Sequence, residues 1–277
     1  MPGPVAARLA ALHLLAAVVG CAAPPQPSAP RQIVLGAPPP LPDQRVPDYA
    51  KRPYEPFSRT NAVAIALREW RAFGSVVNDD PPDLNPDLPE ELRPDRQPGL
   101  WQRVGDYWWS GQDAGSQASG WSSKYTEWGL PLTAAGSPAW SAAFVSYVMR
   151  TAGAGDRFTY SPLHADYINA ASQRLGSLAA ERPSAYAPQP GDLICTGRGA
   201  AKGLRFDDLP TSRFPSHCDV VVSVAPGQLR VVGGNVSGGV TLKHVPTTPE
   251  GWLAGPDGAV LDGRFSWFVV VRVGYDA

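Results

Sequence analysis

SPAWSAAFVSYVMR, residues Ser137 to Arg150, reads as a helix that is apolar around most of its circumference. Trp140, Phe144, Tyr147 and Val148 line one side, and Val145, Met149 and Ala152 broaden that surface, so the helix belongs inside a domain. Ser137 suits the N-cap, Pro138 the first helical position, and Gly153 the stop, which predicts a helix over Ser137–Ala152. Its first turn carries a hydroxyl, Ser141. Backbone N–H groups there have no intrahelical partner and the helix dipole is positive, a favourable field for a nucleophile.

The pattern changes along the chain. Val63, Ile65, Ala66, Trp70 and Phe73 recur at helical spacing and predict a helix over Arg59–Gly74. Asp79–Pro98 is Pro- and Asp-rich and reads as irregular. The aromatic residues Trp101, Tyr107, Trp108, Trp109, Trp121 and Trp128 read mostly as core, with a sugar-stacking platform as the alternative. Ser161-Pro162 predicts the start of a third helix that ends at Gly176. After Pro190 come short β-rich runs at Asp192–Cys195, Cys218–Val224, Leu229–Val232, Val240–Lys243 and Phe268–Val273, with turn signals at Pro226-Gly227 and Gly238-Gly239. Helices followed by a meander predict an α+β fold, N-terminal helices packed on an antiparallel β-sheet.

At 277 residues, 43% hydrophobic and 18% charged, the chain can hold one sizeable domain plus appendages. A net charge of −1 with no Lys/Arg cluster argues against nucleic-acid binding. Arg8 followed by the apolar run Leu9–Val19, too short to span a bilayer, reads as an export signal. The run ends in Val-Val-Gly-Cys21, which resembles a bacterial lipobox. That resemblance implies a diacylated Cys21, membrane contact through a lipid anchor only, and a place in the cell envelope at the periplasmic face of the outer membrane. The predicted organisation is a signal over 1–21, a Pro-rich tether over 22–58 and a folded domain over 59–277. Cys195 and Cys218 then form an even pair, open to a disulfide or to two buried thiols. The His and Cys spacings give no metal signature, and no cofactor is expected.

Three distant residues make a candidate catalytic set: Ser141 as nucleophile, His217 at a strand start as base, and Asn235 in VVGGNVSGG as the group orienting His217. By strand alternation His217 shares a face with Asp219, and Cys218 points the other way. Each residue has a plainer alternative: a helix cap, a satisfied histidine, and an asparagine chosen for its tolerance of unusual backbone angles. Trp140, Tyr160 and His164, the last in TYSPLHADYI, are candidates for substrate binding.

PAWSAAFVSYVMRTAG resembles the PWCAAFV segment of the papain-like NlpC/CHAP amidase superfamily. PQPGDLIC, HCDVVVSV and VVGGNVSGGV resemble its PGD, GHVGIV and GGN elements, over roughly Pro138 to Pro246. A closer resemblance, over about Arg59 to the C-terminus, is to the uncharacterised bacterial domain-of-unknown-function family 2272. The superfamily resemblance implies a papain-like fold and hydrolysis of amide bonds in peptidoglycan peptides. It departs at Ser141, where such enzymes hold Cys. A thiolate is intrinsically nucleophilic, whereas a serine hydroxyl depends on an aligned base and an oxyanion hole. Three readings stay open: an active Ser amidase or peptidase, an inactive member that binds the cell wall or an envelope protein, and a structural lipoprotein whose cleft is incidental.

Overall fold

The computed structural model describes residues 56–84, 88–110 and 139–276. The predicted signal with Cys21, most of the tether, Trp121, Trp128, Ser137 and Pro138 lie outside those residues. Among the described residues are four α-helices and one six-stranded antiparallel sheet: α1 (Arg59–Ala72), α2 (Leu100–Ser110), α3 (Ser141–Thr151), α4 (His164–Ser172), β1 (Leu178–Glu181), β2 (Leu193–Gly197), β3 (Ser216–Ala225), β4 (Gln228–Val236), β5 (Gly239–Pro246) and β6 (Trp267–Val273). The α+β class and the antiparallel sheet expected from sequence are therefore present. No described helix is long and apolar enough to cross a membrane.

The sheet order is β1-β6-β2-β3-β4-β5. Hairpins join β3, β4 and β5, through Pro226-Gly227 and then through Ser237-Gly238, since Val236 pairs with Gly239. Ser237 and Gly238 both have positive φ (47° and 74°), as a two-residue hairpin turn requires. The second turn thus falls one residue before the Gly238-Gly239 signal. Strand β4 runs on through Gly233-Gly234-Asn235, so Asn235 lies within the strand rather than in a turn after it. It sits at a register shift, with φ of 58°.

Both faces of the sheet are covered, which accounts for the unbroken apolar runs in β3 and β6. Cys195, Cys218, Val220, Val232, Leu242 and Val271 pack beneath Phe144, Val148 and Ile168 of the helices. Ile194, Val221, Val231 and Val270 pack on the opposite face with Leu253 and Trp267. Each such aliphatic side chain contributes roughly 1.5–3 kcal/mol through burial. Cys195 and Cys218 are cross-strand partners in β2 and β3 and are joined by a disulfide.

Helix α3 is buried from Ser141 through Met149. It starts four residues later than predicted, with Trp140 in the capping position and no side-chain cap. Gly153 (φ 95°) ends it as expected, its N–H donating to the Arg150 carbonyl. Helix α2 was not predicted as a helix. Its Tyr107 and Trp108 are buried, and the Tyr107 hydroxyl donates to Glu69 at 2.6 Å, so these aromatics are core.

Candidate functional site

Helix α3 delivers Ser141 at its first residue. The chain then returns, and Ser146 fastens it: its Oγ donates to the Ser161 carbonyl (3.0 Å) and accepts from the Ser161 N–H (3.1 Å). Ser161 Oγ accepts from the Leu163 N–H and donates to Asp166, which Arg213 holds from outside. These contacts start α4 at His164, two residues beyond Pro162, and aim that imidazole back at α3. His164 Nε2 lies 2.7 Å from Ser141 Oγ. Its Nδ1 is hydrogen-bonded to the Tyr167 hydroxyl, one helical turn on.

The histidine beside Ser141 is thus His164, and the predicted Ser141–His217–Asn235 arrangement is not formed. His217 lies next in line, its ring centroid 5.3 Å from that of His164. Its Nε2 is 3.0 Å from Asp219 Oδ1, and Asp219 Oδ2 accepts from Lys243 Nζ at 2.8 Å. Strand pleating explains the geometry: His217 and Asp219 are two residues apart on one face of β3, and Lys243 projects from β5 on that same face. Gly233 of β4 lies between them, and a Cβ there would overlap Asp219 Oδ1. On the other face a Cβ on Gly234 would come within 2.8 Å of both Trp140 and Phe144. The paired glycines let β4 approach α3 and the ion pair at once. His217 Nδ1 is buried without a hydrogen-bond partner.

Asn235, the predicted orienter, instead faces a cavity of about 690 Å³ that Thr196, Arg198, Ser237, Lys243 and Arg264 also line. Its positive φ accounts for asparagine at the bulge. Trp140 is not a free platform: its indole N–H donates to Asp95 (3.0 Å), and its ring lies against Phe73 and Tyr107. Tyr160 donates its hydroxyl to the Gly155 carbonyl, and Arg150 covers its ring. Both aromatic side chains are committed to packing.

The site is dry: Ser141 is 3% exposed, His164 5% and His217 0%. Burial, then the neighbouring His217 and Arg198, hold His164 well below the ordinary histidine range. Burial and Arg198 push His217 down to about 4 against the pull of Asp219. For Asp219 burial acts upward, but Lys243 and His217 more than offset it and keep the carboxyl ionised far below its usual range. Tyr167 is held well above the ordinary tyrosine range by burial and then by Asp219, so it stays a neutral phenol. At neutral pH the site therefore holds two uncharged imidazoles beside one carboxylate–ammonium pair. No group of three or more metal-ligating side chains occurs among the described residues.

Sequence reasoning gave His164 only a binding role and did not single out Tyr167. The signal was present: His164 and Tyr167 are three apart at a predicted helix start, and so share a face. Asp219 was placed on the His217 face without a role, and Lys243 was read only as a strand residue.

No curated protein and no solved structure is detectably similar to this chain. A family model, described as an uncharacterized protein conserved in bacteria, matches residues 95–273, a stretch that holds α2, α3, α4 and the whole sheet. The chain belongs to this bacterial family, DUF2272.

Proposed function

We propose that the domain is an envelope-tethered acyl hydrolase in which Ser141 is the nucleophile and His164 the general base, acting on amide bonds of peptidoglycan peptides. The 2.7 Å approach of Ser141 Oγ to His164 Nε2 carries this reading. In the productive tautomer Nδ1–H donates to the Tyr167 oxygen, leaving Nε2 free to accept the Ser141 proton. Ser141 Oγ then bonds to the substrate carbonyl carbon, and its proton moves to His164 and on to the departing amine. Water releases the acyl group by the reverse transfers. Backbone N–H groups in the first turn of α3 face the developing oxyanion. His164, kept neutral by its surroundings, is in its basic form at pH 7. The sequence order supports a papain-like scheme with a changed partner: a nucleophile on a helix start, then a histidine opening a strand, then a Gly-Gly-Asn run at the end of β4. Here His164 takes the place beside the nucleophile, and His217 stands behind it. The lipobox-like Val-Val-Gly-Cys21 supports the envelope location.

The test is labelling of the full chain by a fluorophosphonate, which reacts only with an activated serine. Ser141→Ala should abolish labelling. His164→Gln should slow it about 10²–10⁴-fold, the usual worth of a general base. His217→Gln should slow it far less. Ser141 and His164 are almost sealed from solvent, and this burial favours a second reading in which the domain binds cell-wall peptides without cleaving them. An unlabelled parent chain that still binds muropeptides without converting them would decide for that reading.

A further inference from the structure

The cavity of about 690 Å³ beside His217 is lined by four cationic side chains, Arg198, Lys202, Lys243 and Arg264, and one carboxylate, Asp80. Two of these cations already hold carboxylates of their own: Lys243 is paired with Asp219 and Arg264 with Asp262. Arg198 differs. Its backbone N–H donates to the Pro215 carbonyl, but its guanidinium makes no hydrogen bond or ion pair with the described residues. It is part-buried, and desolvation pushes it below the ordinary arginine range while Asp219 pulls it back. A desolvated cation without a partner is costly, and an incoming anion relieves that cost.

Two further side-chain groups in the same wall make no hydrogen bond among the described residues. Ser237 Oγ is buried and has no hydrogen-bond partner. The Asn235 carboxamide makes no hydrogen bond among the described residues, and the β4 bulge turns that residue to the cavity. Arg198, Asn235 and Ser237, whose guanidinium, carboxamide and hydroxyl make no hydrogen bond among the described residues, thus line one space. Planar bidentate donors suit a carboxylate better than a point charge does. The volume exceeds what a bare ion needs and falls in the range of ordinary ligand pockets.

We infer that this cavity is a binding subsite for the carboxylate of a small acidic ligand, held by Arg198, Asn235 and Ser237. Lys243 connects it to the catalytic proposal, because the same ammonium lines the cavity and holds the Asp219–His217 pair. Choosing a peptide as the bearer of that carboxylate rests on the hydrolase reading; the carboxylate subsite itself does not.

The test is calorimetric titration of the full chain with acetyl-Ala-Ala, with its C-terminal amide, and with inorganic phosphate. The acid should bind saturably, and the amide about tenfold more weakly or worse, as expected for loss of a charge-assisted bidentate contact. Arg198→Gln should lower affinity for the acid at least about tenfold, and Arg198→Lys should lie between it and the parent. Ser237→Ala should weaken binding by a smaller factor. The guanidinium makes no hydrogen bond or ion pair among the described residues and is desolvated, so Arg198→Gln should melt no lower than the parent, which confirms that the fold is intact. Equal affinity for acid and amide, an unchanged affinity in Arg198→Gln, or binding of phosphate alone would each overturn the carboxylate assignment. Binding is read without turnover, so unlabelled Ser141 beside Arg198-dependent binding would remove the hydrolase and keep the subsite.

Discussion

Ser141–His164–Tyr167 and His217–Asp219–Lys243 lie side by side, their imidazoles 5.3 Å apart, but they are built from opposite chemistry. The first group is neutral throughout and hangs on two helices. The second is ionic and hangs on two strands on either side of β4. A neutral hydroxyl–imidazole pair is free of committed charge, so its proton can move toward a reacting group, and losing one partner leaves no buried ion stranded. A buried carboxylate–ammonium pair has its charges committed, and neither partner can leave alone. One group is suited to chemistry and the other to holding the sheet together behind it.

Removing one member from each group tests that contrast directly. Asp219→Ala strands the Lys243 ammonium, whose side chain is 3% exposed, and deprives His217 of its hydrogen-bond partner. Breaking a buried pair in this way costs about 3–5 kcal/mol. Ser141→Ala removes one neutral hydrogen bond and should cost about 1 kcal/mol. Denaturant titration of both variants measures the difference. A loss in Asp219→Ala no larger than in Ser141→Ala would mean that the ionic group does not support the sheet.

The two groups also differed in how far the sequence revealed them. Strand pleating is local, so His217 and Asp219 could be placed on one face from their spacing alone. Gly233-Gly234 was visible as a motif, though not the reason that each glycine faces a different neighbour. The Ser141–His164 contact was hidden because it depends on a return of the chain after Gly153. The tie that fixes this return, Ser146 to the Ser161 backbone, has no sequence signature. Helix α2 was missed although Leu100, Val104, Tyr107 and Trp108 recur at helical spacing, because Pro98-Gly99 offers no side-chain cap and the aromatic residues were read as a cluster rather than as a period. Strand β1, Leu-Ala-Ala-Glu, has weak strand propensity and exists through pairing with β6. The main α3 helix was legible because an apolar circumference implies burial. Its start was placed too early, since Ser137 and Pro138 mimic a capped N-terminus.

Acidification separates the groups by pH window. Both histidines have folded values depressed below the ordinary 6.5, that of His217 to about 4, so the unfolded chain binds more protons between those limits. Their contribution is complete above pH 6.5 and is lost as pH falls, that of His217 as pH approaches 4. Asp219 is depressed below 3.8, so its contribution is lost only under more acidic conditions. Each buried histidine adds up to about 1.4 kcal/mol per pH unit to the slope of stability within its window. The histidine part of the slope below pH 6.5 should fall in His217→Gln and vanish in the double variant with His164→Gln. An unchanged slope in the double variant would show that neither imidazole is held neutral.

The smallest expected effect concerns Asn235, which two explanations compete for. As an orienter of His217 its carboxamide would matter to the Ser141 site. As the residue at the β4 bulge, with φ of 58°, it would matter through its backbone and through the cavity that it lines. Asn235→Gly keeps the left-handed conformation available and removes the side chain. Stability should stay within about 0.5 kcal/mol of the parent, because relief of the left-handed strain opposes the greater freedom of glycine in the unfolded chain. Fluorophosphonate labelling should be unchanged, since no hydrogen bond joins Asn235 to either imidazole among the described residues, and only affinity for the peptide acid should fall. Slower labelling with unchanged affinity would reverse that assignment and return Asn235 to the histidine side of the site.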